Sequence, residues 1–334
     1  MNEQLKEFFE DLEEKNLRKI NNIVVRDGKR VQQDKPQFVR YARRQIIPFK
    51  IDDTPYIGKE ASTDTANYIH ELSSSKLFGD LGIITPPTYP IRIKTSKSNT
   101  KIGLISQDVN HLKDIFVQPA TTISLFEHLP IKPQFGGYRN LSPWHIFTDK
   151  TVKQKCLEIM TEKCYEDITN YFLLEELRSS CDTHKGNYFL YKHNENGKFK
   201  GVIPIDLENS TALSYENIDK DMFDYFIHNI QYPSCLPFKN FSDIGEDGNF
   251  GNYVYTMSYS KRIEMIKLMI SKGLLSDNQI ELLKNAINYD FPAVVKDTCN
   301  NLEKHTKESS RNYTIDTISR LWEYNHNQLD KELQ

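Results

Sequence analysis

Two short stretches of this 334-residue chain hold polar side chains whose types and spacing suit chemistry on phosphates. The first reads Asp182-Thr-His184-Lys-Gly-Asn187 and sets a carboxylate and an amide five residues apart on one loop. The second is Asp206, which follows the apolar run Val-Ile-Pro-Ile in an Ile-Asp-Leu-Glu segment. Between them, Tyr-Phe-Leu-Tyr-Lys and Gly-Val-Ile-Pro-Ile flank a polar His-Asn-Glu-Asn-Gly-Lys turn, so 181–210 reads as a β-hairpin. A hairpin folds its ends together, which brings Asn187 and Asp206 close. An amide and a carboxylate converging there suit Mg²⁺, which takes hard oxygen donors from one or two carboxylates and from substrate phosphates. Asp182 is left beside that pair as a candidate base. Phosphoryl transfer from ATP asks for little more: a cation on the phosphates, a carboxylate to orient that cation, and a carboxylate near the incoming nucleophile.

Apolar periodicity gives the elements that would position these groups. Residues 45–61 read as two strands joined by an Asp-Asp-Thr-Pro turn, and 65–78 as a helix that Gly79-Asp-Leu-Gly82 and Pro86-Pro87 bring to an end. Strands are predicted at 89–94 and 101–106, around a polar Ser-Lys-Ser-Asn-Thr connection. Earlier, Leu5, Phe8, Phe9 and Leu12 have helical spacing, and Asn-Ile-Val-Val at 22–25 reads as a strand. A proline- and aromatic-rich stretch over 111–150 reads as a long irregular connection. Helices follow at 151–179 (as one or two), 218–230, 259–272, 277–288, 291–305 and 313–331, and Ser276 with Gln279 forms a capping box. A mostly β half with one helix is thus followed by a mostly helical half with one polar-ended hairpin. This is an α+β pattern, divided as 1–110 and 111–334.

The Asp-x-His-x-x-Asn loop, the short hairpin and the Ile-Asp element resemble the catalytic and metal loops of atypical protein kinases. The nearest in pattern are the HipA-type bacterial Ser/Thr kinases and the phosphoinositide kinases. The resemblance implies a bilobal fold, with a small mostly β N-lobe on the ATP side and a larger helical C-lobe. It implies that Asp182 is catalytic, that Asn187 and Asp206 hold the metal, and that His184 braces the loop. In such kinases a strand lysine binds the phosphates and pairs with a glutamate on the next helix. Lys59 of Tyr56-Ile-Gly-Lys59 and Glu71, twelve residues on, match that pair; Lys50 competes for the role, and the spacing favours Lys59. Gly79-Asp-Leu-Gly-Ile-Ile-Thr-Pro-Pro resembles the HipA-type passage from this helix into the next strand, which makes Gln107, Asp108 and Val109 the hinge at adenine. The match runs over roughly 45–210. It departs from the pattern in having no Gly-x-Gly-x-x-Gly loop, and Ile-Asp-Leu-Glu where most kinases have Asp-Phe-Gly.

On this reading the chain is a Mg-ATP-dependent phosphotransferase acting on protein Ser/Thr, of a toxin or effector kind. The alternatives are a nucleotide-binding pseudokinase and a phosphoinositide kinase. Structural readings compete at each position. Asp182 and Asn187 are turn-forming residues, Lys59 suits an edge strand, and a helix glutamate such as Glu71 is most often solvated. Cys181 with His184 has zinc-like spacing but no second pair follows, and the same two as nucleophile and base lack an orienting partner.

Composition narrows the classes further. The net charge of −3 supplies no general field for nucleic acid or membrane. A basic stretch over 26–50 suits phosphate contact or a solvated face. No apolar run is long enough to span a bilayer, and the N-terminus is acidic and amphipathic, not a signal peptide. Five cysteines without a Cys-x-x-Cys pair fit reduced thiols in the cytoplasm, or in a host cytosol after secretion.

Overall fold

The computed structural model describes residues 46–51, 54–60, 66–94, 100–127, 132–134, 137–139, 150–180, 183, 186–207, 220–229, 232–233, 256–302 and 307–334. The expectations for the first 45 residues, the basic stretch mostly among them, lie outside these. So do Asp182, Cys181 and His184.

The β-rich text after residue 45 forms strands β1 (Ile46–Ile51) and β2 (Thr54–Glu60), paired antiparallel from Ile46↔Lys59 to Ile51↔Thr54. Helix α1 (Ala66–Asp80) follows, then β3 (Thr88–Lys94) and β4 (Thr100–Gln107). The four strands make one antiparallel sheet in the order β1-β2-β4-β3, with Lys59 of β2 opposite Leu104 of β4.

Helix α1 is buried almost all round. Ile69, Leu77 and Phe78 are fully enclosed, and so are the hydroxyls of Ser73 and Ser74. The serines are small enough to let neighbouring elements approach closely. After Asp80 the chain turns by a Schellman closure: Ile83 N–H donates to Phe78 O (2.9 Å) and Gly82 N–H to Gly79 O (3.1 Å). Gly82 takes φ +86°, where a side chain is strained.

Beyond β4 the region expected to be irregular contains short elements. They are a 3-10 turn at Val109–His111, strand β5 (Phe116–Pro119), a one-turn helix α2 (Ser124–Glu127), and a small hairpin of β6 (Lys132–Gln134) and β7 (Gly137–Arg139). The long helix expected at 151–179 is two, α3 (Lys150–Ile159) and α4 (Glu162–Leu177). The break falls where the Thr161 hydroxyl caps α4 by accepting from Cys164 N–H. It is pinned by Phe199, whose N–H donates to Ile159 O and whose carbonyl accepts from Thr161 N–H.

The predicted hairpin is β8 (Tyr188–Lys192) and β9 (Gly201–Pro204), with β5 added on the outside of β8. A Cβ on Gly201 would sit 2.6 Å from the Tyr191 ring, so any other residue there would have to push the ring aside. Then come α5 (Lys220–Asn229), a two-residue pair of strands β10 (Tyr232–Pro233) and β11 (Thr256–Met257), and helices α6 (Tyr259–Ser271), α7 (Asp277–Asn288), α8 (Phe291–Asn301) and α9 (Glu308–Leu333). The Ser276–Gln279 capping box is present on α7.

This is the α+β, bilobal, protein-kinase-like architecture. The main apolar core joins α3, α4, β8 and α5–α9, and it takes in Ile69, Leu77 and Phe78 of α1. Ser73 Oγ donates to Thr298 Oγ1 of α8 at 3.1 Å, and the Tyr289 hydroxyl donates to Asp80. The three described cysteines are reduced and buried, and burial pushes the thiols of Cys156 and Cys299 up to about 12, so they pack rather than react. No helix among the described residues is long and apolar enough to cross a membrane.

Candidate active site

The hairpin brings Asn187 and Asp206 to one end. Tyr188 faces Pro204 in the β8–β9 register, and Ile205 N–H donates to Asn187 O (2.8 Å), which carries the pairing one step past the strands. Asn187 is buried, and Asp206 is half-buried in the next position along. Asp206 has φ +59°, a left-handed conformation that costs most residues on the order of 1–2 kcal/mol. Aspartate tolerates it better than most, and strain of this kind concentrates at functional sites. The two residues therefore lie at the same end of the hairpin. No group of three or more His, Cys, Asp or Glu among the described residues forms a cation site of its own.

Lys59 lies in the sheet strand next to β4, and Lys50 lies opposite Pro55 at the turn end of β1. Glu71 lies in the middle of α1 and is buried, not solvated as a helix glutamate most often is. Enclosed carboxylates of this kind need a partner. Glu71, Ser74 and Phe78 fall on one stripe of the helix at spacings of three and four.

The segment expected to form the hinge is firmly built. Gln107 N–H donates to Pro87 O (2.9 Å) and Asp108 N–H to Pro55 O (3.0 Å). The Asp108 carboxylate turns back to accept from Asn110 N–H and Asn110 Nδ2. Val109 packs with Tyr191 and Ile203, so the hinge rests on the hairpin that carries Asn187 and Asp206. Pro87 has no N–H to complete the ladder to the Gln107 carbonyl, and the Val109 N–H, first in its turn, has no acceptor within it.

A heavily bonded group next to the hairpin end is one that the sequence reading passed over. Arg178 is fully buried at the end of α4. Its guanidinium donates to Glu175 Oε1 from Nε (3.2 Å) and Nη2 (2.8 Å), and from Nη1 to Ser74 Oγ (2.7 Å) and to the carbonyl of Leu207 (3.0 Å). It also lies over the Phe78 ring, 5.8 Å from its centroid. The other Glu175 oxygen accepts from the hydroxyl of Thr183 (2.9 Å), the residue after Asp182. Nearby His70 is buried, and burial together with the Arg178 charge lowers its pKa to about 3, so it is neutral. A second buried pair, Glu176 with Arg262 (3.3 Å), adds a bond from Arg262 Nη1 to Ser180 O (2.8 Å). The signal for all of this was the segment Leu173-Leu-Glu-Glu-Leu-Arg178, three charges closing an otherwise apolar helix.

No family model matches the sequence, and no curated protein does. Among solved structures the chain is similar to the crystal structure of a Helicobacter pylori proinflammatory kinase, CtkA. The TM-score is 0.54 at 14% sequence identity, over 86% of this chain and 94% of that one. The fold is kinase-like.

Proposed function

We infer that the chain is a Mg-ATP-dependent phosphotransferase of the HipA-like kind, with protein Ser/Thr as its substrate. The observation that carries the reading is the convergence of Asn187 with Asp206, the latter in a left-handed conformation, on a hairpin within a kinase-like fold. In this role Asn187 and Asp206 hold the metal, which would neutralise charge on the transferring phosphoryl group. Lys59 binds the phosphates and is oriented by Glu71, which is buried in the middle of α1. Asp182 accepts the proton of the incoming hydroxyl. The Gln107 carbonyl and Val109 N–H match the amino donor and ring acceptor of adenine, with Asp108 closing the turn between them.

The absence of a glycine-rich loop favours a second reading, a pseudokinase that holds nucleotide without chemistry, since β1 and β2 are joined by Asp52 and Asp53 alone. Transfer of label from γ-labelled ATP separates the two, with a generic protein and phosphoinositide vesicles as acceptors, beside Asp182→Ala and Asp206→Asn. Asparagine tolerates the left-handed backbone and removes only the charge. Transfer to protein that falls by about 10²-fold or more in both variants is expected. ATP-induced stabilisation without transfer supports the pseudokinase, transfer to lipid alone the phosphoinositide kinase, and no ATP binding at all refutes the site.

A further inference from the structure

We propose that Arg178 is a positioning residue, which holds Asp206 in its metal-binding conformation and ties that conformation to helix α1. This rests on the phosphotransferase reading above. A left-handed conformation at a residue with a side chain is kept more firmly when its surroundings restrain it. Here the restraint is visible: rotation about Asp206 would swing the next residue, and the carbonyl of that residue, Leu207, is held by Arg178 Nη1 at 3.0 Å. The same nitrogen donates to Ser74 of α1 at 2.7 Å. A fully buried guanidinium has no water to replace a lost acceptor, so its partners move together or leave a charge short of bonds. Glu71 lies one turn from Ser74 on the same stripe of α1. One cation thus sets the glutamate and the metal-binding aspartate in fixed relation.

Glu175 divides the restraint in two. Its Oε1 holds Arg178 and through it the Asp206 side, and its Oε2 holds Thr183 and through it the loop of Asp182. The two arms have separable consequences. Weakening the first lowers affinity for the cation; cutting the second slows transfer and leaves cation affinity unchanged.

The test uses the full chain with Mn²⁺ as the probe, its binding followed by electron paramagnetic resonance in the presence of a non-hydrolysable ATP analogue. Wild type is compared with Arg178→Lys, Ser74→Ala, Thr183→Val and Asp206→Asn, and each variant is also assayed for label transfer. Lysine keeps the charge but not the fork, and is expected to weaken Mn²⁺ binding roughly tenfold, with metal-free binding of the analogue unchanged. Ser74→Ala removes one hydroxyl from a small residue and is expected to shift Mn²⁺ binding in the same direction by less; it decides the matter if Arg178→Lys does not fold. Wild-type Mn²⁺ affinity in both variants, beside loss in Asp206→Asn, overturns the role of Arg178 and leaves the phosphotransferase reading intact. No Mn²⁺ binding by wild type overturns both.

Discussion

Helices α1 and α4 end in the same hydrogen-bonded closure, yet with different residues at the turning point. At the end of α1 the left-handed position is Gly82, exposed at the surface. At the end of α4 it is Ser179, fully buried, with φ +60°; Ser180 N–H donates to Glu175 O (2.9 Å) and Ser179 N–H to Glu176 O (3.0 Å). Helix α6 repeats the first solution, with Gly273 at φ +61°. Glycine stands where the chain has only to turn. Where the turn leads into the loop of Asp182, a side chain is kept in a conformation that costs energy. Asp206 has a left-handed backbone likewise. The third such residue among the described ones, Asp114, lies in an exposed turn and is of a type that tolerates it.

The contrast can be tested from its largest expected effect down. The interior of α1, unlike its end, is chemically demanding, because His70 must stay neutral beside Arg178. Its folded pKa is about 3, against an ordinary value of 6.5, so above pH 6.5 neither state binds the proton and stability is untouched. Below pH 6.5 the unfolded chain takes up a proton that the folded chain refuses, and stability falls until about pH 3. At ~1.4 kcal/mol per unit the full loss is several kcal/mol. Urea titrations from pH 7 to 4 should show this slope, flattened in His70→Gln; an equal slope in both places the acid sensitivity elsewhere.

Gly82→Ala comes next. Nothing lies within 4 Å of the added Cβ, so backbone strain alone should lower stability by about 1–2 kcal/mol, read as a lower melting temperature with unchanged transfer. Ser179→Gly is the sharpest case and the smallest in energy. It should raise stability by up to ~1 kcal/mol and lower transfer activity, because the loop entry loses its fixed geometry. A destabilised Ser179→Gly with full activity would show that the serine is there for packing and that the comparison with Gly82 carries no functional meaning.

Much of this architecture was legible in the sequence, because Gly79–Gly82 and Pro86-Pro87 mark the end of α1, two short apolar runs flank a polar turn in β8–β9, and the C-terminal helices repeat their apolar residues at helical spacing. Strand β5 was not legible. Phe116–Pro119 is four residues long and ends in proline, and it is a strand only because β8, some seventy residues later, pairs with it. The break between α3 and α4 was half visible, since Thr161 is a good cap, but apolar periodicity continues across it. The convergence of Asn187 and Asp206 followed from the hairpin alone. Arg178 escaped notice because no spacing rule says which charge in Glu-Glu-Leu-Arg is buried; that depends on Ser74 and Leu207, which reach it from elsewhere in the chain.

The attachment of α1 to the C-terminal helices also sets a timetable for synthesis. Ser73 meets Thr298 across 225 residues, and Asp80 meets Tyr289 across 209. At about 5–20 residues per second, a ribosome takes ~10–45 s to deliver those partners after α1 has emerged. Throughout that interval the core around Ile69, Leu77 and Phe78 has α3, α4 and β8 to pack against but lacks its C-terminal helices, which leaves apolar surface for holding chaperones to cover.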